Sequence, residues 1–359
     1  MFSIIDRYIL KKFITTFIYA IALILVITVV FDISEKLDDF VDNKAPLKAI
    51  VFDYYVNFLP FFANMFSPLF VFVAVIFFTS KMASNTEIVA ILNSQVSFWR
   101  MLVPYMVGAT AICVASLYLG NFVIPHANKT RLEFEDKYIF NRFHFTETNV
   151  HRKLDKETFV YFENYDNTTQ TGYKFSLEKF TENRLTYKLN ADLIRWDSLK
   201  QLWIVENVNE RSVKGLGETF NRHPTKELKI NLLPEEFSKR LTSTETLNYS
   251  ELNQYIKEEQ AKGNENVVFF EEVKYNRIAM PFATFALTLI GVSVASRKVR
   301  GGIGLHIALG LALSFSYIMV MQIATKFALY SNFNIILACW LPNIIYLLLS
   351  FILLRMAPK

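Results

Sequence analysis

The sequence predicts an α+β membrane protein, with six transmembrane helices and an antiparallel β domain, a sandwich or jelly roll outside the cytoplasm, inserted between spans three and four. Three observations support this fold class. Of the 359 residues, 52% are hydrophobic, a fraction above the usual range of soluble domains. Six apolar runs reach the roughly 20 residues that a helix needs to cross the hydrocarbon core. The segment between the third and fourth runs is polar and shows the period-two alternation of strands.

The distribution of Lys and Arg residues sets the expected orientation of the spans. The first apolar run is longer than the core of a secretory signal, so we interpret it as a retained span. Basic residues concentrate in the short loops on the side of both termini, and such loops are normally cytoplasmic. Both termini are therefore expected in the cytoplasm. The predicted spans cover residues 13–33, 50–79, 101–124, 278–295, 303–328 and 335–356.

The polar middle third of the chain is expected to form the β domain outside the cytoplasm. Several short strands without intervening helices favour an antiparallel sandwich or jelly roll. A turn near Glu182 and Asn183 divides the longest alternating stretch into two strands. A helical pattern from Ser250, closed by Gly263, then leads back to the fourth span. The alternating stretches cover residues 158–169, 172–196 and 201–213.

These patterns give the expected domain boundaries. The boundaries are 1–124 for spans one to three, with a cytoplasmic helix over 84–96; 125–249 for the β domain; 250–274 for a helical return; and 275–359 for spans four to six.

The sequence carries no recognisable set of catalytic or nucleotide-binding residues. The motifs G-x-x-x-x-G-K-[ST], H-E-x-x-H, C-x-x-C and G-x-S-x-G are all absent. The net charge of +5 is modest, and no long basic block favours nucleic-acid binding. We therefore expect a protein that is not an enzyme and that needs no metal or other cofactor.

A short helix between the second and third spans is the most informative local pattern. Ser84 and Glu87 have the spacing of a capping box. Ile88, Ile91 and Leu92 follow on one face of the predicted helix. Spacing alone leaves two interpretations open: an interfacial helix resting on lipid, or a docking helix that fits a groove in a soluble partner.

Residues 68–104, PLFVFVAVIFFTSKMASNTEIVAILNSQVSFWRMLVP, resemble the LptF/LptG family of lipopolysaccharide-export permeases. Glu87, Ala90, Ser97 and Pro104 match the pattern of that family after its second span, whereas Gln95 stands where the family usually has Gly. TLIGVSVASRKVRGGIGLHIALGLALSFSYIMV and WLPNIIYLLL are similar to spans four to six of the family. The resemblance covers nearly the whole chain and is weakest in the β domain.

The resemblance implies the permease subunit of an ATP-binding-cassette exporter, which extracts lipopolysaccharide from the outer leaflet of the inner membrane of a Gram-negative bacterium. The implied partners are a cytoplasmic ATPase dimer, a second permease of the same family, a periplasmic jellyroll bridge protein and lipopolysaccharide itself. The helix after span two would be the coupling helix that sits on the ATPase. Its candidate contact residues are Ser84, Glu87, Ile88, Ala90, Ile91 and Leu92.

Two further sets of residues are candidates on chemical grounds. Lipid phosphates need cations at the outer mouth, and the family has such cations near the outer end of span one, which favours Lys36. The alternative for each cation is a side chain that only snorkels to the headgroups. Small residues in span five let helices approach closely, either between two permeases or within one subunit. The cations are Lys36, Lys44, Lys274, Arg277 and Lys326, and the small residues are Gly304, Ala308 and Ala312.

Two other functions stay open at this point. A permease of another ABC exporter, for lipid or lipoprotein, would normally have four spans. A membrane-anchored structural protein with an outer β domain would have no use for the helix over 84–96.

Overall fold

A computed structural model describes most of the chain in two compact units. The first unit comprises Met1–Phe134 and Glu271–Lys359, and the second comprises Glu135–Phe270. The described residues are 3–139, 146–155, 157–166, 169–182, 184–215, 217–230, 232–234, 241–261, 264, 267–296, 302–331 and 333–356.

Within the described residues, six helices are long and apolar enough to cross a membrane, which confirms the predicted number. They are α1 (Ile4–Asp42), α2 (Leu47–Ser84), α4 (Phe98–Tyr138), α6 (Val267–Ala295), α7 (Gly302–Tyr330) and α8 (Ile335–Met356). A short helix, α3 (Glu87–Asn93), joins α2 to α4. The segment over 297–301, part of the basic Gly-rich link between α6 and α7, lies outside the described residues.

The first helix is longer than the sequence predicted. The segment after residue 33 was expected as an outer loop, but α1 continues as a helix to Asp42. Nothing in that segment breaks a helix: α1 ends only at Asn43, where Lys44 takes a positive φ of 49° just before Pro46. At about 1.5 Å per residue, α1 exceeds the hydrocarbon core of about 30 Å.

Helix α4 also runs beyond its predicted end. The β domain was expected to begin at residue 125, but this position lies inside a continuous helix that ends at Tyr138. A π-helical turn over Leu119–Val123 directly precedes Pro125. In a regular α-helix, a proline ring clashes with the carbonyl of the preceding turn. A π-helical turn has a different backbone hydrogen-bond pattern, and here it lies at the place of that clash.

The N-terminal part of α1 packs against α2 and α4 through buried aromatic rings. The Phe78 ring stacks on the Phe13 ring at 5.8 Å and on the Tyr105 ring at 5.2 Å. The Tyr105 hydroxyl is 3.0 Å from that of Thr79. A Cβ atom at Gly108 would lie 2.5 Å from the Phe13 ring, so only glycine lets α1 and α4 approach this closely.

Burial is very unequal among the six spans. Only 6% of the apolar window of α1 is buried inside the chain, against 72% for α6. The buried residues of α1 lie at its two ends: Asp6, Ile9 and Phe13 at one end and Phe40 at the other. The middle of α1 is therefore left for lipid, substrate or another protein to cover.

In the described part of the second unit, six strands form one antiparallel sheet and follow each other in chain order. The four strands predicted from alternation are confirmed as β2 to β5, and β1 and β6 were not predicted. Strand β6 contains Pro224 and is almost wholly exposed, as suits an edge strand. The described strands form a meander without the crossover of a jelly roll. The strands are β1 (Thr146–Lys153), β2 (Thr158–Asp166), β3 (Thr171–Thr181), β4 (Arg184–Asp197), β5 (Leu202–Lys214) and β6 (Gly217–Leu228).

One face of the sheet carries the apolar core of this unit. Phe162, Phe175 and Trp203 are fully buried there, and the indole of Trp203 donates a hydrogen bond to the Leu232 carbonyl at 2.8 Å. The predicted return helix is α5 (Tyr249–Ala261), which buries Leu252 and Ile256. Gly263, expected to close it, lies outside the described residues.

We predict that Gly108→Ala destabilises the protein by about 1–3 kcal/mol, the usual cost of overpacking. The added methyl group would strike the buried Phe13 ring, which cannot turn away because it stacks on Phe78. Thermal unfolding in detergent measures the effect. Gly304→Ala is the control, since a Cβ there meets no atom within 4 Å. Equal unfolding temperatures for the two variants would contradict the proposed packing.

Candidate functional site

The short helix α3 begins at a sharp corner after α2. Its N-cap is Thr86, which has a left-handed φ of 59°. The predicted capping box of Ser84 and Glu87 is wrong, because Ser84 is still the last residue of α2 and its hydroxyl donates to the Lys81 carbonyl at 2.9 Å. Because Glu87 does not take part in capping α3, its side chain can make contacts outside this helix.

A second corner ends α3. Gln95 has a φ of 66°, in the left-handed region that favours glycine. In the sequence, Gln95 is a departure from an expected Gly, and its backbone has a conformation that Gly adopts readily. The Ser97 hydroxyl then caps α4 by accepting from the Arg100 amide at 3.3 Å. The two corners fix α3 between its neighbouring spans.

The two faces of α3 have different surroundings. Ile88 is 1% exposed, and Ile91 and Leu92 pack beside it against the core that α1, α2 and α4 form. Val89 is 52% exposed, and Ala90 is also exposed. Three of the predicted contact residues therefore hold α3 to its own chain, and the surface open to a partner lies on the opposite face.

The Glu87 carboxylate joins α3 to α1. Its Oε2 atom accepts a hydrogen bond from the Tyr8 hydroxyl at 2.8 Å and one from the Lys12 ammonium at 3.3 Å. Its Oε1 atom accepts from the Asn85 amide at 3.3 Å. Burial alone would raise the pKa of Glu87, but the contacts with Tyr8, Asn85 and Lys12 together outweigh it and lower the pKa. Glu87 is thus an anion at neutral pH.

A second ionic contact joins α1 to the start of α4. The Arg100 guanidinium donates to both carboxylate oxygens of Asp6, at 2.8 and 2.5 Å. Asp6 also accepts from the Ser3 amide at 2.7 Å in the capping box that begins α1. The first turns of α1 are therefore attached on both sides of α3, through Glu87 and through Arg100. We call these two contacts the α1 clamp.

A polar cluster lies near the other end of α1. Lys36 donates to Asp32 Oδ1 at 2.8 Å and to the Tyr54 hydroxyl. The Tyr54 and Tyr55 hydroxyls donate to the two oxygens of Asp32, at 3.2 and 3.1 Å. Lys36, the first-choice cation of the sequence analysis, is thus already paired with a carboxylate.

The other predicted cations have varied surroundings. Lys44 and Lys326 are exposed, and Lys274 and Arg277 are half-buried. The Lys274 ammonium lies 4.9 Å from the centre of the neighbouring Tyr275 ring. Lys326 is close enough to Glu272 to interact electrostatically with its carboxylate.

The three small residues of α7 lie on one exposed side of that helix. Gly304, Ala308 and Ala312 are all exposed, so they do not serve close packing within this chain. The same side continues with exposed Phe315 and Met319. The surface suits contact with another helix or with lipid.

Sequence reasoning missed most partners in these clusters. The spacing of Asp32 and Lys36, four residues apart on a helix, could have predicted their ion pair. The contacts of Glu87 with Tyr8 and Lys12 span more than seventy positions, and no local pattern indicates them.

Comparison with known proteins adds one finding. A family model described as "Lipopolysaccharide export system permease LptF/LptG" matches residues 7–356, almost the entire chain. A search of curated proteins finds no match.

We predict that Arg100→Gln destabilises the protein more than Asp6→Asn. The Asp6 side chain is 4% exposed and would be left as an unpaired buried anion, whereas the Arg100 side chain is 45% exposed and can be hydrated. A difference of about 1–3 kcal/mol is expected from the desolvation penalty. Thermal unfolding measures it, with Lys11→Gln as an exposed control. A greater loss for Asp6→Asn would contradict this assignment.

Proposed function

The chain belongs to the LptF/LptG family of lipopolysaccharide-export permeases, and from that premise we propose that it is one membrane subunit of an ATP-driven exporter. As a multi-pass inner-membrane protein, it would extract lipopolysaccharide from the outer leaflet and pass it to a periplasmic bridge. The observation that supports this proposal is the solvent-exposed face of α3, the short helix between two spans, which leaves a surface open to a soluble partner.

Lipid extraction requires an external source of energy. At about 0.8 kcal/mol per buried CH₂, one acyl chain of about twelve carbons contributes on the order of 10 kcal/mol to membrane anchoring. Lipopolysaccharide carries several such chains, so passive release would be very slow. The sequence has no phosphate-binding loop, and we propose that a separate cytoplasmic ATPase dimer hydrolyses the nucleotide.

We propose α3 as the coupling helix that the ATPase contacts. The structure suggests Val89 and Ala90, with Asn93 beside them, as its docking face, since these residues point away from the chain. Ile88, Ile91 and Leu92 would act indirectly by holding α3 in place. Ser84 lies on the corner before the helix, and Glu87 connects α3 to α1.

The α1 clamp gives a route from the ATPase to the membrane. A displacement of α3 and the start of α4 would move the first turns of α1, because Glu87 and Arg100 hold them. Only 6% of the apolar window of α1 is buried within the chain, so little buried packing resists this movement. Helix α1 would then carry the movement to the polar cluster around Lys36 near its other end.

We further propose the orientation and the remaining partners. The termini and α3 would lie in the cytoplasm, and the β unit would lie in the periplasm, where it contacts the bridge protein. A second permease of the same family would cover the exposed side of α7 at Gly304, Ala308 and Ala312. Lys36 would lie at the outer headgroups with Lys44, Lys274, Arg277 and Lys326 as further candidates for phosphate contact.

We predict that Val89→Glu strongly reduces co-purification of the ATPase subunit from native membranes. On docking, the new glutamate side chain would be buried in an apolar groove of the ATPase without a hydrogen-bond or ionic partner. The isolated chain would keep its unfolding temperature because Val89 is exposed. Leu199→Glu is the matched control, since Leu199 is an exposed apolar residue of the β unit. Full recovery of the ATPase with Val89→Glu would reject α3 as its docking site.

A contrasting result is expected for the opposite face of α3. Ile88→Ala should lower the stability of the chain by about 2–4 kcal/mol, as for other buried Ile residues. If Ile88→Ala weakened ATPase binding and left stability unchanged, the assignment of the two faces would be reversed.

A further inference from the structure

Lys36 has two partners that hold it within the chain. Its ammonium donates to Asp32 and to Tyr54, and it lies 4.8 Å from the centre of the Tyr54 ring. The Lys36 side chain is nevertheless 21% exposed. Because a lysine has a long flexible stem with a compact charge at its tip, the ammonium can reach an outside anion by rotation of that stem.

Asp32 does not depend on Lys36 alone. Its side chain is only 11% exposed, so as an anion it needs hydrogen-bond donors. The Tyr54 hydroxyl supplies one to Oδ1, and the Tyr55 hydroxyl supplies one to Oδ2. If Lys36 left, both oxygens would still accept a hydrogen bond, and the carboxylate would keep its position.

A π-helical turn places two successive tyrosines, Tyr54 and Tyr55, beside Asp32. Residues Ile50–Tyr55 of α2 form this turn, which is rare in proteins and often occurs at functional sites. It lets two adjacent side chains reach one carboxylate of α1. Both tyrosines are buried, and Phe40 packs edge-on against Tyr54 at 5.8 Å. The donors to Asp32 are therefore fixed in position.

We infer that Asp32 is an exchangeable counter-ion for Lys36, which a phosphate group of the transported lipid displaces. Before binding, the Asp32–Lys36 pair is neutral. After Lys36 turns to the phosphate, Asp32 stays behind as an anion held by Tyr54 and Tyr55. Its competition for Lys36 and its repulsion of the phosphate weaken lipid binding, and so favour release. This inference rests on the proposed function and specifies how its cation site is controlled.

The test is the affinity of the assembled exporter, purified with its second permease and ATPase, for diphosphorylated lipid A in nanodiscs of zwitterionic lipid. Asp32→Asn should bind the lipid about tenfold more tightly. In this variant Lys36 no longer has to break its charge-assisted hydrogen bond with Asp32 before it contacts the phosphate. Tyr55→Phe should bind more weakly, because Asp32 then loses a donor and holds Lys36 more strongly. Glu35→Gln, which removes the same charge from an exposed neighbour, should leave affinity unchanged.

Dephosphorylated lipid A and inorganic phosphate complete the experiment. None of the variants should change the affinity for the dephosphorylated lipid. If the exporter with the wild-type chain prefers the phosphorylated lipid but the Asp32→Asn exporter binds it no more tightly, the proposed exchange is wrong and the proposed function stands. If the exporter with the wild-type chain binds neither lipid, the proposed function fails as well. Equal competition by inorganic phosphate would assign the site to the free anion and overturn the lipid exchange.

Discussion

The Glu87 carboxylate is the contact on which the proposed mechanism depends. It holds the start of α3 to Tyr8 and Lys12 of α1, and the Asp6–Arg100 pair repeats the attachment at the start of α4. Because so little of the apolar window of α1 is buried within the chain, these few polar contacts and the rings around Phe13 determine where its N-terminal end lies. A helix held in this way can follow its attachment point without breaking a large apolar interface.

The same helix is held differently at its other end. There Asp32 accepts from two tyrosines of α2, and Phe40 packs on Tyr54 and Phe134. The N-terminal attachment lies beside the proposed docking helix, while this one contains the proposed phosphate-binding cation. Helix α1 thus connects the surface proposed for the ATPase with the residues proposed for the lipid. This arrangement gives a physical reason for a long helix with contacts at its ends and an exposed middle.

Much of the fold could be predicted because its signals are local. Apolar runs of roughly 20 residues gave the six spans, and alternation gave strands β2 to β5. The predicted ends failed where a helix continues through polar residues, as at 34–42, or through Pro125 beyond a π turn. The site was harder to predict, because an amphipathic pattern shows that α3 has an apolar face without showing what covers it. Ile88, Ile91 and Leu92 face their own chain, and the partners of Glu87 and Lys36 depend on tertiary contacts.

Whether α1 follows α3 can be measured directly by pulsed electron paramagnetic resonance on the assembled exporter. One spin label would replace Leu23 in the exposed middle of α1, and the other would replace Leu348 on the exposed side of α8. The account predicts that the distance changes between the nucleotide-free and ATP-trapped states, and that Glu87→Ala with Asp6→Ala abolishes this change while ATP hydrolysis continues. An equal change with and without the α1 clamp would contradict the account.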